Sequence, residues 1–231
     1  MTTHRDVRAH FHNDLAKLEQ EILSMGGMAR EAVAKAVQCL VADDDGLAAE
    51  VVAGDDDIDH RGFDFERLWL QTMALQTPVA IDLRIMSVLQ HVSHSVMRMG
   101  DQAVNIAKIQ IETTDMKRKD EIVAQIKEMG ELVDPMIRLS LESLERRDDT
   151  MYARLDEMDD PVDVINRAMY QQVVDCGDDP DQLAWATRMM IVSRALERVG
   201  DRAVAIAEQV VFLVRGGYSD PEKDPDAIAL G

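Results

Sequence analysis

Two segments of this chain, 100 residues apart, have nearly the same sequence. Residues 94–107 read HSVMRMGDQAVNIA, and residues 194–207 read RALERVGDRAVAIA. Nine of the sixteen positions in windows 92–107 and 192–207 are identical, whereas unrelated segments would share about one. Apolar residues recur at steps of four and three in both copies, which is the period of a helix with one buried face. The paired apolar positions are Ile85, Leu89, Val92, Val96, Met99, Ala103 and Ile106, with Trp185, Met189, Val192, Leu196, Val199, Ala203 and Ile206.

The rest of the sequence fits three helices in each half. The predicted helices span residues 7–41, 45–75 and a segment from Pro78 onward, then 118–146, 149–175 and 180–215. Gly26 and Gly27 are expected to bend the first helix, and Pro135 to kink the fourth. Gly216 and Gly217 are expected to end the last one.

The predicted fold class is therefore all-α. We expect two tandem three-helix bundles related by the internal repeat, with no sheet, because no stretch alternates with period two. The first bundle covers residues 7–115 and the second 116–217, and a disordered tail covers 218–231.

The composition restricts the classes of function. The formal net charge of −19 argues against direct binding to nucleic acid or to an anionic bilayer. Neither a signal peptide nor a run of about 18 apolar residues is present, so a cytoplasmic location is predicted. Cys39 and Cys176 lie far apart in the sequence and suggest neither a disulfide framework nor a thiolate metal site. The acidic excess fits either a salty cytoplasm or an ordinary acidic protein.

A glycine stands in the middle of each repeated helix, within the motif RxGD. Arg98 and Gly100 belong to the first copy, and Arg198 and Gly200 to the second. A mid-helix glycine costs roughly 1 kcal/mol relative to alanine, so its position needs a reason. A close crossing with a neighbouring helix is one explanation.

The acid that follows this glycine offers a second explanation. Glu197 and Asp201 are four residues apart and share one helix face. Their oxygens suit Mg, Ca, Mn or Fe if other helices add ligands. Ion pairing with the flanking Arg194 and Arg198 is the alternative role for these acids.

Several longer segments resemble the PhoU family of phosphate-signalling accessory proteins. They are LERVGDRAVAIAEQVVFLVRG, TPVAIDLRIMSVLQ, SMGGMAREAVAKAV and AGDDDID. The resemblance extends over about residues 11–217 and includes both repeats in the same order.

This resemblance implies two helical bundles in a pseudo-twofold arrangement, usually within a homodimer. It implies a cytoplasmic regulator that damps phosphate uptake and the phosphate-starvation response. The implied partners are the ATPase of a phosphate ABC transporter and a PhoR-type histidine kinase. If the host is a halophilic archaeon, we expect a transcriptional regulator as the alternative to the kinase. A membrane would be contacted only through the transporter.

The resemblance also implies metal clusters, often of iron, on E(D)xxxD motifs. Four carboxylates are the predicted ligands: Glu66, Asp101, Glu197 and Asp201. The other four aligned positions carry no carboxylate, and they are Gly62, Met97, Asn166 and Tyr170. One mononuclear site per bundle, or no metal at all, fits the sequence equally well.

Other polar residues near these positions are weaker candidates. His91 and His94 are possible substitute ligands, although His94 is about 10 Å along the helix from Asp101. Asp59 and Asp163 are expected to serve as caps or in ion pairs rather than as ligands.

Sequence motifs of catalysis are absent from the chain. It contains no ExxH for a di-iron carboxylate bundle, no GxxxxGKS and no GxSxG. The prediction is a non-enzymatic regulator of phosphate transport. The alternatives are a metal-binding or storage bundle and a scaffold whose partner lies outside phosphate control.

Overall fold

A computed structural model describes residues 4–216 of the chain, with side chains from residue 10 onward. Within that range the chain forms seven α-helices and no strand, which confirms the all-α prediction. The helices are α1 (His4–Ala42), α2 (Asp45–Ala53), α3 (Asp55–Gln76), α4 (Ile81–Glu112), α5 (Asp120–Arg146), α6 (Met151–Val174) and α7 (Pro180–Arg215). Gly217 and the predicted tail at 218–231 lie outside the described residues.

The second predicted helix was wrong in one respect, because the structure divides it at Gly54. The Gly54 N–H donates to the Glu50 carbonyl and ends α2, and α3 starts at the next residue. Three consecutive aspartates, at 55–57, occupy the first turn of α3, where negative charge is favourable. Gly54 has low helix propensity, and the acids after it favour a helix N-terminus. For these two reasons α2 ends and α3 begins at this point.

The predicted start of the third helix at Pro78 was also wrong, since α4 begins at Ile81. Thr77 has φ 43° and ends α3, as a residue before proline is excluded from the α region. Ala80 has φ 52°, which prevents helix formation until the following residue. By contrast, Pro180 stands in the first turn of α7 and Gly216 ends that helix with φ 84°, as predicted.

The two halves share a central layer of four helices. Helix α1 packs on α4 and α5, and α7 packs on the same two helices. Helices α2 and α3 cover α1 and α4, whereas α6 covers α5 and α7. The predicted apolar stripes of α4 and α7 are buried throughout and face this central layer.

Equivalent residues of the two repeats make equivalent contacts between α1 and α5. A Cβ on Gly26 would lie 2.5 Å from Leu141 Cδ2, and a Cβ on Gly130 would lie 2.7 Å from Val37 Cγ1. Both glycines and both partners are related by an offset of 104 residues, so the two contacts are equivalent. The helix α1 continues through Gly26, whose role is to admit Leu141.

One ion pair lies between these two equivalent contacts. Arg30 donates two hydrogen bonds to Asp134, from Nε to Oδ1 at 2.7 Å and from Nη2 to Oδ2 at 2.8 Å. Asp134 is itself the residue 104 positions after Arg30. The pair therefore joins the same position of the two repeats, as expected at a pseudo-twofold axis.

Candidate carboxylate site

The glycine of each RxGD motif lies against an aspartate of the covering helix. A Cβ on Gly200 would lie 2.7 Å from Asp159 Oδ1 on α6. A Cβ on Gly100 would lie 3.9 Å from Asp55 Oδ1 and 3.4 Å from Ile58 Cδ1 on α3. Each glycine thus leaves space for a close crossing, and an acidic side chain occupies part of that space.

The second repeat holds two carboxylates whose oxygens the protein does not satisfy. Asp159 Oδ1 and Glu197 Oε2 are buried and have no hydrogen-bond partner among the described residues. Burial, followed by the charges of Asp201 and Asp163, raises the pKa of Asp159 to about 6. The negative charge concentrated between α6 and α7 is therefore under-compensated.

Arginines neutralise part of this charge. Glu197, which is only 6% exposed, pairs through its other oxygen with Arg194. Asp163 pairs with Arg167 at 3.4 Å. Ion pairing of Glu197, the alternative role predicted from the sequence, is thus present, but it leaves Oε2 without a partner.

The first repeat has an equivalent cluster with fewer acids. Burial, followed by the charges of Asp59 and Asp101, raises the pKa of Asp55, and Lys108 opposes the shift. Arg98 pairs with Asp101 at 3.1 Å. Met97 stands where Glu197 stands in the second repeat.

Comparison with known proteins decides the family. The PhoU domain family model matches residues 22–110 and, a second time, residues 126–210. The chain belongs to the PhoU family. The matched segments start 104 residues apart and end 100 residues apart, and these offsets relate α1 to α5 and α4 to α7.

Similar proteins match along nearly their whole length. A Clostridium acetobutylicum protein described as a phosphate-specific transport system accessory protein PhoU homolog is 31% identical, covering 93% of this chain and 98% of the relative. A Caulobacter vibrioides protein with the same description is also 31% identical, with coverages of 89% and 90%. The crystal structure of PhoU from Pseudomonas aeruginosa has a TM-score of 0.85 at 28% identity, covering 89% of this chain and 99% of that one.

The structure places the sequence-predicted ligands in different surroundings. Glu197 and Asp201 belong to the cluster on Gly200, and Asp101 belongs to the cluster on Gly100. Glu66 does not join Asp101, because α3 runs antiparallel to α4. Gly62 already faces Met97, with Met97 Sδ 2.8 Å from where a Cβ on Gly62 would lie, and exposed Glu66 lies one turn farther from Asp101.

The corresponding residues of the second repeat do not contribute carboxylates either. Asn166 Oδ1 accepts a hydrogen bond from Ser193 at 2.9 Å, and Tyr170 is 64% exposed. His91 Nδ1 donates to the Ser87 carbonyl oxygen, and His94 lies beside Gln90. The two clusters beside Gly100 and Gly200 therefore contain aspartate and glutamate as their only candidate ligands.

Sequence reasoning missed Asp55 and Asp159 as members of the PhoU carboxylate clusters. Asp55 and Asp59 are four residues apart, as are Asp159 and Asp163. This is the same spacing that drew attention to Glu197 and Asp201, so the signal was present. In the structure the aspartates that lie against the RxGD glycines are Asp55 and Asp159, seven residues before the positions predicted from the sequence.

The clusters are not assembled into a metal site as they stand. Between residues 10 and 216, no group of three or more His, Cys, Asp or Glu side chains converges closely enough to hold an ion. Rotation of the carboxylates would be required to bring them onto one cation. The second repeat fits a cation better than the first, because it carries two unsatisfied buried oxygens and has Glu197 in place of Met97.

We expect the metal-free protein to gain stability as the pH falls from about 7 to about 5. The pKa of Asp159 is raised to about 6 in the folded chain, above the ordinary aspartate value of about 3.9. Ionisation of Asp159 therefore opposes folding, and protonation removes that cost. Because the side chain is partly exposed, solvent screening reduces the effect to about 1 kcal/mol.

Urea unfolding in the presence of a chelator measures this effect. Asp159→Asn should be more stable than the parent near neutral pH and equally stable in acid. Asp178→Asn changes an exposed aspartate in the connection between α6 and α7 whose charge does not act on Asp159, so this control should keep the parent's pH dependence. Equal pH dependence in all three proteins would contradict the assignment to Asp159.

Proposed function

We propose that this protein is a regulatory accessory protein that lowers phosphate uptake by binding the ATPase of a phosphate ABC transporter. Membership of the PhoU family points to an accessory role in the regulation of phosphate transport. The observation that carries the proposal is the match of both repeats to that family, over 98% of a relative described as a phosphate transport accessory protein. A PhoR-type histidine kinase or a transcriptional regulator is the proposed signalling partner.

The proposed mechanism requires binding and no chemistry. A helical face that docks on one state of the ATPase increases the population of that state. Because a transporter ATPase lies on the cytoplasmic side of the membrane, we propose that the protein acts in the cytoplasm. We also propose that it acts there as a homodimer. Within residues 4–216, no helix has the length and apolar character needed to cross a membrane.

Exposed apolar residues support a protein partner. Leu75, Val79 and Ile81, at the connection between α3 and α4, are 78%, 71% and 57% exposed. Large apolar side chains grouped at one surface often mark a site of protein binding. We place the docking surface for the ATPase at this connection.

Affinity capture from extracts of the source cells, grown at low and at high phosphate, tests the function. The tagged chain should recover the transporter ATPase, and a kinase or regulator if one takes part. Leu75→Asp should reduce the recovery at least tenfold, whereas Ile191→Asp, at an exposed apolar residue of α7, should not. Recovery of neither partner by the parent chain would contradict the proposal.

A second proposal concerns a divalent cation between α6 and α7. The two buried oxygens without partners, Asp159 Oδ1 and Glu197 Oε2, favour it. Asp163 and Asp201 would complete a set of hard oxygen ligands that suits Mg, Ca, Mn or Fe. Such a cation would supply the positive charge that the cluster lacks. The alternative of a dedicated metal-storage protein rests on this same cluster.

A further inference from the structure

A cavity of about 380 Å³ lies between α4 and α7. None of the carboxylate-site residues lines it. Its wall consists of Gln90, His91, His94, Ser95, Arg202, Ala205 and Gln209. The chain has 44 acidic residues against 25 lysines and arginines, yet this wall contains an arginine, two histidines and no carboxylate. The cavity is therefore locally suited to an anion on an otherwise acidic protein.

Arg202 is the cation of the wall that the protein leaves unpaired. It is exposed, and it forms no ion pair or hydrogen bond with any residue between 10 and 216. On the same two helices, Arg98 pairs with Asp101 and Arg194 pairs with Glu197. Arg198 is also without an ion pair among residues 10–216, but it does not line the cavity. A free guanidinium group offers several N–H donors in one plane, a geometry that matches two oxygens of an oxyanion.

The histidines add donors from α4. His91 Nδ1 lies 2.8 Å from the Ser87 carbonyl oxygen, so this nitrogen carries a proton and the ring is held in one orientation. In the imidazolium form both ring nitrogens of a histidine donate, so each ring can offer an N–H to a bound anion. Ser95, which is buried on the same helix, contributes a hydroxyl group.

The glutamines of the wall are incompletely bonded. Gln90 Oε1 and Gln209 Oε1 are buried without a hydrogen-bond partner among the described residues. Gln90 Nε2 lies 3.3 Å from His94 Nε2. Each glutamine also carries an amide NH₂ group, which can donate to a bound anion.

The internal repeat shows that helix packing does not require these polar residues. Positions 100 residues away occupy the equivalent places in the other repeat, and they carry different side chains. The pairs are Gln90 and Met190, His91 and Ile191, His94 and Arg194, Arg202 and Gln102, and Gln209 and Ile109. The two helices keep the same buried stripe, so this set of polar side chains occurs on one side of the duplication and not on the other.

We propose that this cavity binds a small oxyanion of the phosphate class. Arg202 on α7 would contact two oxygens, and His91, His94 and Ser95 on α4 would donate to the others. Donors on two facing helices suit a tetrahedral anion better than a planar carboxylate, which has only two oxygens. The site is independent of the proposed regulatory function, because the chain can dock on a transporter protein whether or not it binds an anion itself.

Equilibrium dialysis with radiolabelled inorganic phosphate tests the site, with a chelator present so that no cation can bridge phosphate to the carboxylate clusters. We expect one saturable site per chain. Arg202→Gln should weaken it at least tenfold, since hydrogen bonds to a charged group have effects of about this size. Arg146→Gln removes the same charge from an exposed arginine of α5 and should leave the affinity unchanged. Thermal unfolding would verify that both variants fold as the parent does.

Two further arms define the ligand. Glycerol phosphate competing with inorganic phosphate would support a site for phosphate monoesters, and failure to compete would support a site for the free anion. His91→Gln combined with His94→Gln should also weaken binding at least tenfold. The proposal would be overturned by an absence of saturable binding at millimolar phosphate. Equal affinity of the parent and Arg202→Gln would overturn it as well.

Discussion

Asp159→Asn is expected to weaken Mn²⁺ binding by roughly 100-fold or more, since even the outer partners of metal ligands contribute roughly 10–100-fold. Asp159 Oδ1 is buried, has no hydrogen-bond partner and lies against the backbone at Gly200. A cation there would supply the missing partner. It would also offset the repulsion from Asp201 and Asp163, which adds to the effect of burial in raising the pKa of Asp159. Isothermal titration of the chelator-treated protein with Mn²⁺ gives the affinity.

The first repeat provides the matched control. Asp55→Asn makes the same chemical change at the equivalent position, where Met97 replaces an acid, and should leave the Mn²⁺ affinity within about threefold of the parent. Loss of affinity cannot be attributed to unfolding, because Asp159→Asn is predicted to stabilise the metal-free chain at neutral pH. Equal losses in the two variants, or none in either, would refute the assignment of the site to the second repeat.

Gly26→Ala should destabilise the protein by about 1–3 kcal/mol, the usual cost of an added methyl group in a packed core. The new Cβ would lie 2.5 and 2.7 Å from the two methyl groups of Leu141 on α5. Gly130→Ala should have a cost of the same size, because its Cβ would meet Val37, whose branched side chain has few alternative rotamers. Chemical denaturation of each variant measures the free energy of unfolding.

Gly27 supplies the control from the adjacent position. Nothing lies within 4 Å of a Cβ added there, so Gly27→Ala should stabilise the chain by about 0.5–1 kcal/mol through helix propensity alone. Opposite signs at two neighbouring glycines would show that α1 and α5 approach each other as described. A gain in stability from both Gly26→Ala and Gly130→Ala would show that they do not.

The duplication and its buried faces could be predicted from the sequence, because a helix that buries one side repeats its apolar residues with a fixed period. The stripes that begin at Ile85 and Trp185 proved to be buried throughout. The RxGD glycines were also identified as sites of close packing. Periodicity does not reveal which residues of a neighbouring helix meet them, since that depends on how far one helix is shifted along the other.

This shift explains why the site was predicted only in part. Glu197 and Asp201 were found through their spacing on one helix, whereas Asp159 reaches them from α6. Glu66 was selected by counting along the sequence, and the antiparallel packing of α3 on α4 places Asp55 beside Asp101 instead. The division at Gly54 was missed for a different reason. Acids can continue a helix or start one, and those after Gly54 were interpreted as continuing the helix.

Anomalous diffraction from crystals grown with Mn²⁺ tests most directly whether the second RxGD motif and the aspartate facing it form a cation site. We predict a single strong peak between α6 and α7, within bonding distance of carboxylate oxygens from Asp159 and Glu197. A map in which saturating Mn²⁺ occupies only surface acids, or only the cluster around Asp55, would contradict the account.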